Sequence, residues 1–106
     1  MRVHWTENAV KHLLSIYEYI AQNSPFYAGR TVDKLTKRTE QIADFPMSGR
    51  KAPEYPADDV RELIEKPYRI IYRIKPDQID VLAVVHGAQL LNIENSIINI
   101  VKELKE

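Results

Sequence analysis

The sequence predicts an α+β fold in which a helical hairpin packs on a small, mostly antiparallel sheet, in the order β-α-α-β-β-β-α. Three observations carry that expectation. Two stretches between 6 and 43 place apolar residues at helical spacing, with only "NSP" between them. The stretch 59–87 alternates at strand spacing and is interrupted only by short polar turns. From 89 to 106 the pattern returns to the helical period and adds an extra C-terminal helix.

Each element has a local reason. "MRVHW" sets Val3 and Trp5 on one face of a short strand. In "TENAVKHLLSIYEYIAQ", Thr6 suits the N-cap and Glu7 the first turn, where a negative charge meets the positive end of the helix dipole. Val10, Leu13, Leu14, Tyr17, Ile20 and Ala21 make the expected apolar stripe. "NSP" ends that helix. A second begins near Pro25, because proline's missing N–H costs nothing in a first turn. Its buried face is expected at Ala28, Val32, Leu35, Thr39, Ile42 and Ala43. "FPMSGRKAPEYPADD" holds three of the six prolines and reads as a long surface connection with little regular structure. Loops of that length in a small domain are often functional.

Three strands come next. "DVRELIE" is the first. "YRIIYRIK" alternates Tyr68, Ile70, Tyr72 and Ile74 against Arg69, Ile71, Arg73 and Lys75. "QIDVLAVVHG" is apolar on both faces, as a central strand should be. The "KPDQ" link puts Pro76 second in a tight turn. Last, Leu90, Ile93, Ile97, Ile100, Val101 and Leu104 form a stripe that needs a cover: its own sheet, a second copy or another protein. On the sheet face away from the helices, Arg69 and Arg73 mark a candidate working surface.

Composition narrows the function. A chain of 106 residues, 44% hydrophobic and 28% charged, is read as a single domain over 1–106 with 89–106 as a helical extension. Its modest core leaves little room for an enclosed cofactor, and none is expected. There is no cysteine, which removes disulfides, thiolate metal sites and cysteine nucleophiles. His4 and His12 have no second ligand at metal-binding spacing, so no metal site is expected. Fifteen basic residues balance fifteen acidic ones, a poor composition for avid nonspecific nucleic-acid binding. No run is apolar enough for a signal peptide or a membrane span, and the expected location is the cytoplasm.

The ordered words "HWTENAV", "LLSIYEYIAQNSP", "FPMSGRKAPEY" and "VRELIEKPYRIIYRIKPDQIDVLAVVHGAQ" resemble the RelE/ParE superfamily of bacterial toxins over roughly residues 2 to 89. The resemblance implies the compact α+β toxin fold. It also implies the toxic half of a type II toxin–antitoxin module, often called a plasmid stabilisation system, with a cognate antitoxin as partner. The superfamily divides mainly into two mechanisms. RelE-like members cut messenger RNA on the ribosome; ParE-like members do no chemistry and bind DNA gyrase. The wording "YRIIYRI" with "VVHGAQ" is nearer the ParE side.

Cutting RNA through its 2′-hydroxyl requires a proton acceptor, a proton donor and cations on the developing phosphorane charge. Carried over from RelE-like nucleases, Arg69 matches the arginine of the middle strand and Arg61 falls near a lysine of the preceding one. The next basic position is Leu63, the arginine closing the "HGAR" pattern is Gln89, and the C-terminal tyrosine meets Asn95. None of the three replaces the missing charge or titrates near neutrality. His86 is the remaining candidate acid or base, because histidine is the side-chain type whose unperturbed charge change falls near neutrality. The expectation is therefore a ParE-like gyrase inhibitor with no catalytic residues. The alternatives are an mRNA endoribonuclease using Arg69, Arg61 and His86, and a non-toxic antitoxin-binding or scaffold protein. Gln89 also departs from the ParE-like pattern, which bears on toxicity.

The candidate partner-binding residues are Arg61, Arg69 and Arg73 on the sheet, and Arg30, Lys34, Lys37 and Arg38 along one flank of the hairpin. The opposing reading is a set of surface charges paired with Glu62, Glu65 or Asp80, worth little to stability. The C-terminal stripe adds a possible homodimer contact.

Overall fold

The computed structural model describes residues 1–87. The expected C-terminal helix, Gln89 and Asn95 lie outside them. The described elements are β1 (Arg2–Trp5), α1 (Glu7–Ala21), α2 (Pro25–Asp44), β2 (Arg50–Lys51), β3 (Val60–Glu65), β4 (Tyr68–Ile74) and β5 (Gln78–His86), with a short 3-10 turn at Pro46–Ser48. The sheet order is β1-β5-β4-β3-β2. Among the described strands only β1, which pairs with β5, is parallel to its neighbour.

The hairpin forms where its caps predict. The Thr6 hydroxyl accepts from the Ala9 N–H at 3.3 Å, and Ser24 Oγ accepts from Tyr27 N–H at 3.2 Å ahead of Pro25. Along α2, Ala28, Leu35, Thr39 and Ile42 are buried, the expected face. The stripe expected on α1 needs correction. Ala9 is buried, and Leu13 and Ile16 pack on the core, whereas Val10, Leu14 and Tyr17 are 41, 55 and 39% exposed. Helix α1 is apolar on two sides, so periodicity alone did not identify the inward one.

The connection 45–59 is also more structured than expected. Lys51 and Arg50 of β2 pair with Arg61 and Glu62 of β3, and the rest crosses the sheet as a strap. Gly49 sits at its start, under the Tyr72 ring. A Cβ there would lie 2.6 Å from the Glu62 carbonyl oxygen, so only glycine fits. The Tyr72 hydroxyl donates to the Pro46 carbonyl at 2.7 Å and accepts from the Gly49 N–H at 3.0 Å. A buried phenol is thereby satisfied and the strap is fixed.

Strand β5 lies between β1 and β4, and one residue decides its two faces. Ile71 pairs with Ala83 but Tyr72 with Val81, so Leu82 is an extra residue, a bulge. Ile79 and Val81 face the helix-side core; after the bulge Val84 does. Leu82 and Ala83 join a second core with Ala52, Tyr55, Val60 and Ile71. Both faces of this sheet are therefore covered, one by the hairpin and the other by the strap.

Beyond Val81, β5 has no strand partner on the β1 side among the described residues, and α1 supplies the missing groups. Thr6 Oγ1 donates to the Val81 carbonyl at 2.8 Å, Asn8 Nδ2 to the Leu82 carbonyl at 3.0 Å, and Val84 N–H donates to His12 Nδ1 at 3.2 Å. The Val81 carbonyl also accepts the Thr6 N–H at 3.1 Å, while the Asn8 and His12 contacts meet backbone groups beyond the end of β1.

His12 accepts through Nδ1 and is half-buried, and burial lowers its pKa below 6.5. The folded state thus binds fewer protons than the unfolded chain. His12 contributes stability that is complete above the unfolded value and is lost as pH falls through the depressed folded one. Denaturant midpoints should drop across that acidic window, and His12→Asn, which keeps an acceptor but does not titrate, should flatten the drop. An unchanged slope would place the proton elsewhere.

Candidate partner-binding surface

The sequence singled out Arg69 and Arg73 because they share the strand face turned from the helices, and strand register puts them there. Their surroundings are not those of a free cationic ribbon. Arg69 is 7% exposed. Its Nε donates to Glu62 Oε2 at 2.6 Å, and its Nη2 donates to both oxygens of Glu54 at 2.8 and 2.7 Å. Glu62 is itself 1% exposed and also bonds Arg50 Nε from β2. Burial disfavours the Arg69 charge, but the two carboxylates outweigh it and hold the guanidinium above its ordinary value. The strap brings Glu54 to the strand, and β2 brings Arg50. Together they close a four-membered ion cluster over β3 and β4.

Arg61 lies on the other face. It pairs in register with Tyr72, one position from Glu62, and alternation turns it toward the helix side. Its Nη1 donates to the Gly49 carbonyl at 2.9 Å. Its Nε is buried with no hydrogen-bond partner among the described residues, an atom for which we have no physical account. Arg73 Nε pairs with Asp59 at 2.9 Å, at the end of the strap. His86 ends β5 on the helix-side face, edge-on to Tyr68 with ring centroids 5.5 Å apart. The residues considered for RNA cleavage therefore do not converge: Arg69 is on one face, and Arg61 and His86 are on the other.

The neighbouring phenols are poor bases. Burial, and then the adjacent Glu54 charge, push Tyr55 up to about 12 against the opposing pull of Arg69. Burial likewise raises Tyr68, with a smaller push from Tyr19, and raises Tyr72 against the Gly49 hydrogen bond. All three are protonated near neutrality. Among the described residues no group of three or more histidines and carboxylates could hold a metal ion.

The flank of α2 is different. Arg38 and Lys34 reach Glu65 at the end of β3, at 3.3 and 3.7 Å, and Arg38 also donates to Gln41. Those pairs tie the hairpin to the sheet. Lys37 is exposed. Arg30 lies 5.8 Å over the ring of Phe26, which stands edge-on to Tyr27. Phe26 and Tyr27 are 68 and 62% exposed. Sequence reasoning found the four cations and missed the two aromatics. The signal was present in "SPFYAGR": large apolar side chains in the first turn of a helix, off the periodic inward face.

The arrangement is a helical hairpin over a five-stranded α+β sheet whose edge strand β1 runs parallel to its neighbour β5. The family model described as ParE toxin of type II toxin-antitoxin system, parDE, matches residues 3–91. The chain belongs to that family. Two relatives agree. It is 34% identical over 90 residues to the protein of Sinorhizobium fredii named "Putative toxin Y4kP", covering 83% of this chain and 90% of the relative. It is 32% identical over 90 residues to Toxin RelE2 of Caulobacter vibrioides, covering 84% and 98%. A solved chain from the chromosomal ParDE TA system of P. aeruginosa superposes with a TM-score of 0.68 at 25% identity, over 81% of this chain and 95% of that one. The fold is thus the toxin fold: two helices on a five-stranded mixed sheet. No described helix is long and apolar enough to cross a membrane.

A buried ion pair is costly to halve and cheap to replace whole. Arg69→Ala leaves Glu62 buried with only the peripheral Arg50, and should lower stability by about 3 kcal/mol. Arg69→Met combined with Glu62→Leu should cost clearly less than the sum of the singles in denaturant titrations. Additive losses would mean that the two side chains do not interact.

Proposed function

We propose that this protein is the toxin of a type II toxin–antitoxin module and acts as a ParE-like inhibitor of DNA gyrase, by binding rather than by catalysis. One observation carries the reading. Arg69, the one sheet arginine that matches the nuclease pattern, is held through Nε and Nη2 by Glu62 and Glu54, while Arg61 and His86 sit on the opposite face. Phosphorane stabilisation needs cations converging on one point with an acid and a base beside them. Family membership supports the toxin half of the reading.

The working surface in this proposal is the flank of the hairpin: Phe26, Tyr27, Arg30, Lys34, Lys37 and Arg38. Aromatic and arginine side chains are the residues enriched in interfaces, and here two aromatics are exposed beside cations. Arg61, Arg69 and Arg73 act in the fold and shape the surface indirectly. A cognate antitoxin neutralises the protein, as the pairing in the ParDE system of P. aeruginosa suggests, and the pair works in the cytoplasm. The name of the Caulobacter relative keeps the ribonuclease reading in play.

Induced expression should arrest growth, and co-expression of the antitoxin should relieve it. Purified protein should inhibit gyrase supercoiling and leave messages on translating ribosomes intact. Phe26→Ala with Arg30→Ala should reduce supercoiling inhibition at least ~10-fold, as expected for a central interface pair, at unchanged melting temperature. Transcript cleavage that Arg69→Ala abolishes, with gyrase unaffected, would make the protein a ribonuclease. Absence of any growth arrest would leave a non-toxic binding module.

A further inference from the structure

Residues 52–59 of the strap cover the second core without belonging to the sheet. Their backbone bonds close on the strap or at its ends. Tyr55 N–H donates to the Ala52 carbonyl at 3.1 Å, Val60 N–H to the Ala57 carbonyl at 3.3 Å, and Ile74 N–H to the Asp59 carbonyl at 2.8 Å. Pro53 and Pro56 have no N–H to offer a ladder. Beneath them the ladder of β3, β4 and β5 runs from Val60 to His86 with no strap residue in its register.

Side chains therefore do most of the holding. Ala52 and Tyr55 pack with Ile71, Leu82 and Ala83. Three ion pairs add to them: Glu54 with Arg69 at 2.7 Å, Asp58 with Lys51 at 2.7 Å and Asp59 with Arg73 at 2.9 Å. Asp58 is exposed and Asp59 partly so, and pairs open to water contribute little. The pair that matters is Glu54 with Arg69.

That pair divides in a favourable place. Glu62, the carboxylate that water does not reach, belongs to β3 and keeps Arg69 Nε and Arg50 if the strap lifts. Glu54, already 19% exposed, travels into water with the strap. No carboxylate is left buried and unpaired, and an unpaired buried charge is what makes breaking such a cluster costly. The ends of the segment stay anchored. Lys51 is paired in β2, Gly49 before it is held by the Tyr72 hydroxyl, and Val60 starts β3.

We infer that residues 52–59 are a hinged cover, latched by Glu54, that opens as a unit while both helices and β3–β5 stay folded. Opening bares Ile71, Leu82 and Ala83 beside Nη2 of Arg69, an apolar strip with a cation at its border. This inference is independent of the choice of toxin target.

The absence of native cysteine gives a direct test in the full chain. Ala83→Cys places a thiol under the cover and Ala9→Cys places one in the helix-side core, both at fully buried positions. In native buffer a thiol reagent should label Ala83→Cys at least ~30-fold faster than Ala9→Cys, because partial opening is cheaper than global unfolding. Ile42→Val, which weakens the helix-side core, should speed labelling of Ala9→Cys and leave Ala83→Cys unchanged. Glu54→Gln should speed Ala83→Cys several-fold. Equal labelling of the two thiols, or acceleration of both by Ile42→Val, would mean that the strap leaves only when the whole protein unfolds, and would overturn the inference. Unchanged labelling of Ala83→Cys in Glu54→Gln would overturn the latch. Hydrogen exchange of the wild type gives the same answer without a core substitution. The Tyr55 and Val60 amides should exchange faster than the amides of the β4–β5 ladder, with little dependence on low denaturant; exchange at one common rate contradicts the inference.

Discussion

The far side of the sheet depends on a carboxylate that water does not reach. Glu62 is 1% exposed, and a buried carboxylate must be paired or neutralised. Arg69 from the adjacent strand and Arg50 from the edge meet it, and Glu54 from the strap completes the charge balance around Arg69. Such clusters add little net stability compared with a hydrophobic replacement, but they tolerate few arrangements. Here the cluster requires the strap to cross β3 and β4 at a fixed position. It therefore helps place Tyr55 and Ala52 over Ile71, Leu82 and Ala83, the second core. What reads as a cationic strand in one dimension is, in three, the charged seam of a covered sheet.

The other side is organised by β5. Its bulge at Leu82 lets a strand that is apolar throughout serve two cores, and α1 takes over from β1 where the parallel partner ends. Thr6, Asn8 and His12 lie within two turns of one another, and each bonds the uncovered backbone of β5. The same helix that fills the core therefore also seals a strand edge, which otherwise would be open to another chain. The ion pairs from Arg38 and Lys34 to Glu65 fix the second helix against β3 in the same way.

Much of this was legible in the sequence, and the failures have physical reasons. The starts of both helices were readable because Thr6 and Pro25 act locally, although the Ser24 cap was not singled out. The strand order in β3–β5 followed from alternation and from "KPDQ". The inward face of α1 was misjudged because two apolar stripes compete there and only tertiary packing chooses between them. Strand β2 is two residues long, too short for any period. The fate of Arg69 was not readable from its own strand: its partner Glu54 comes from a proline-rich stretch with no regular pattern, and Glu62 was one of several equivalent acidic candidates. Alternation did place Arg69 on the correct face, and the same alternation separates it from Arg61.

The functional reading rests on that separation. A surface meant to cleave RNA would gather its cations; this fold commits its sheet arginines to internal partners and leaves aromatic and basic side chains on the hairpin flank. The most direct test is the Arg69 guanidinium itself. In a heteronuclear NMR spectrum its Nε–H signal, assigned by its loss in Arg69→Lys, should persist near neutral pH with slow solvent exchange, because Glu62 holds that hydrogen out of water. A fast-exchanging signal like that of a solvent-exposed arginine would mean that the cation is free to grip a ligand, and the charged seam would not exist in solution.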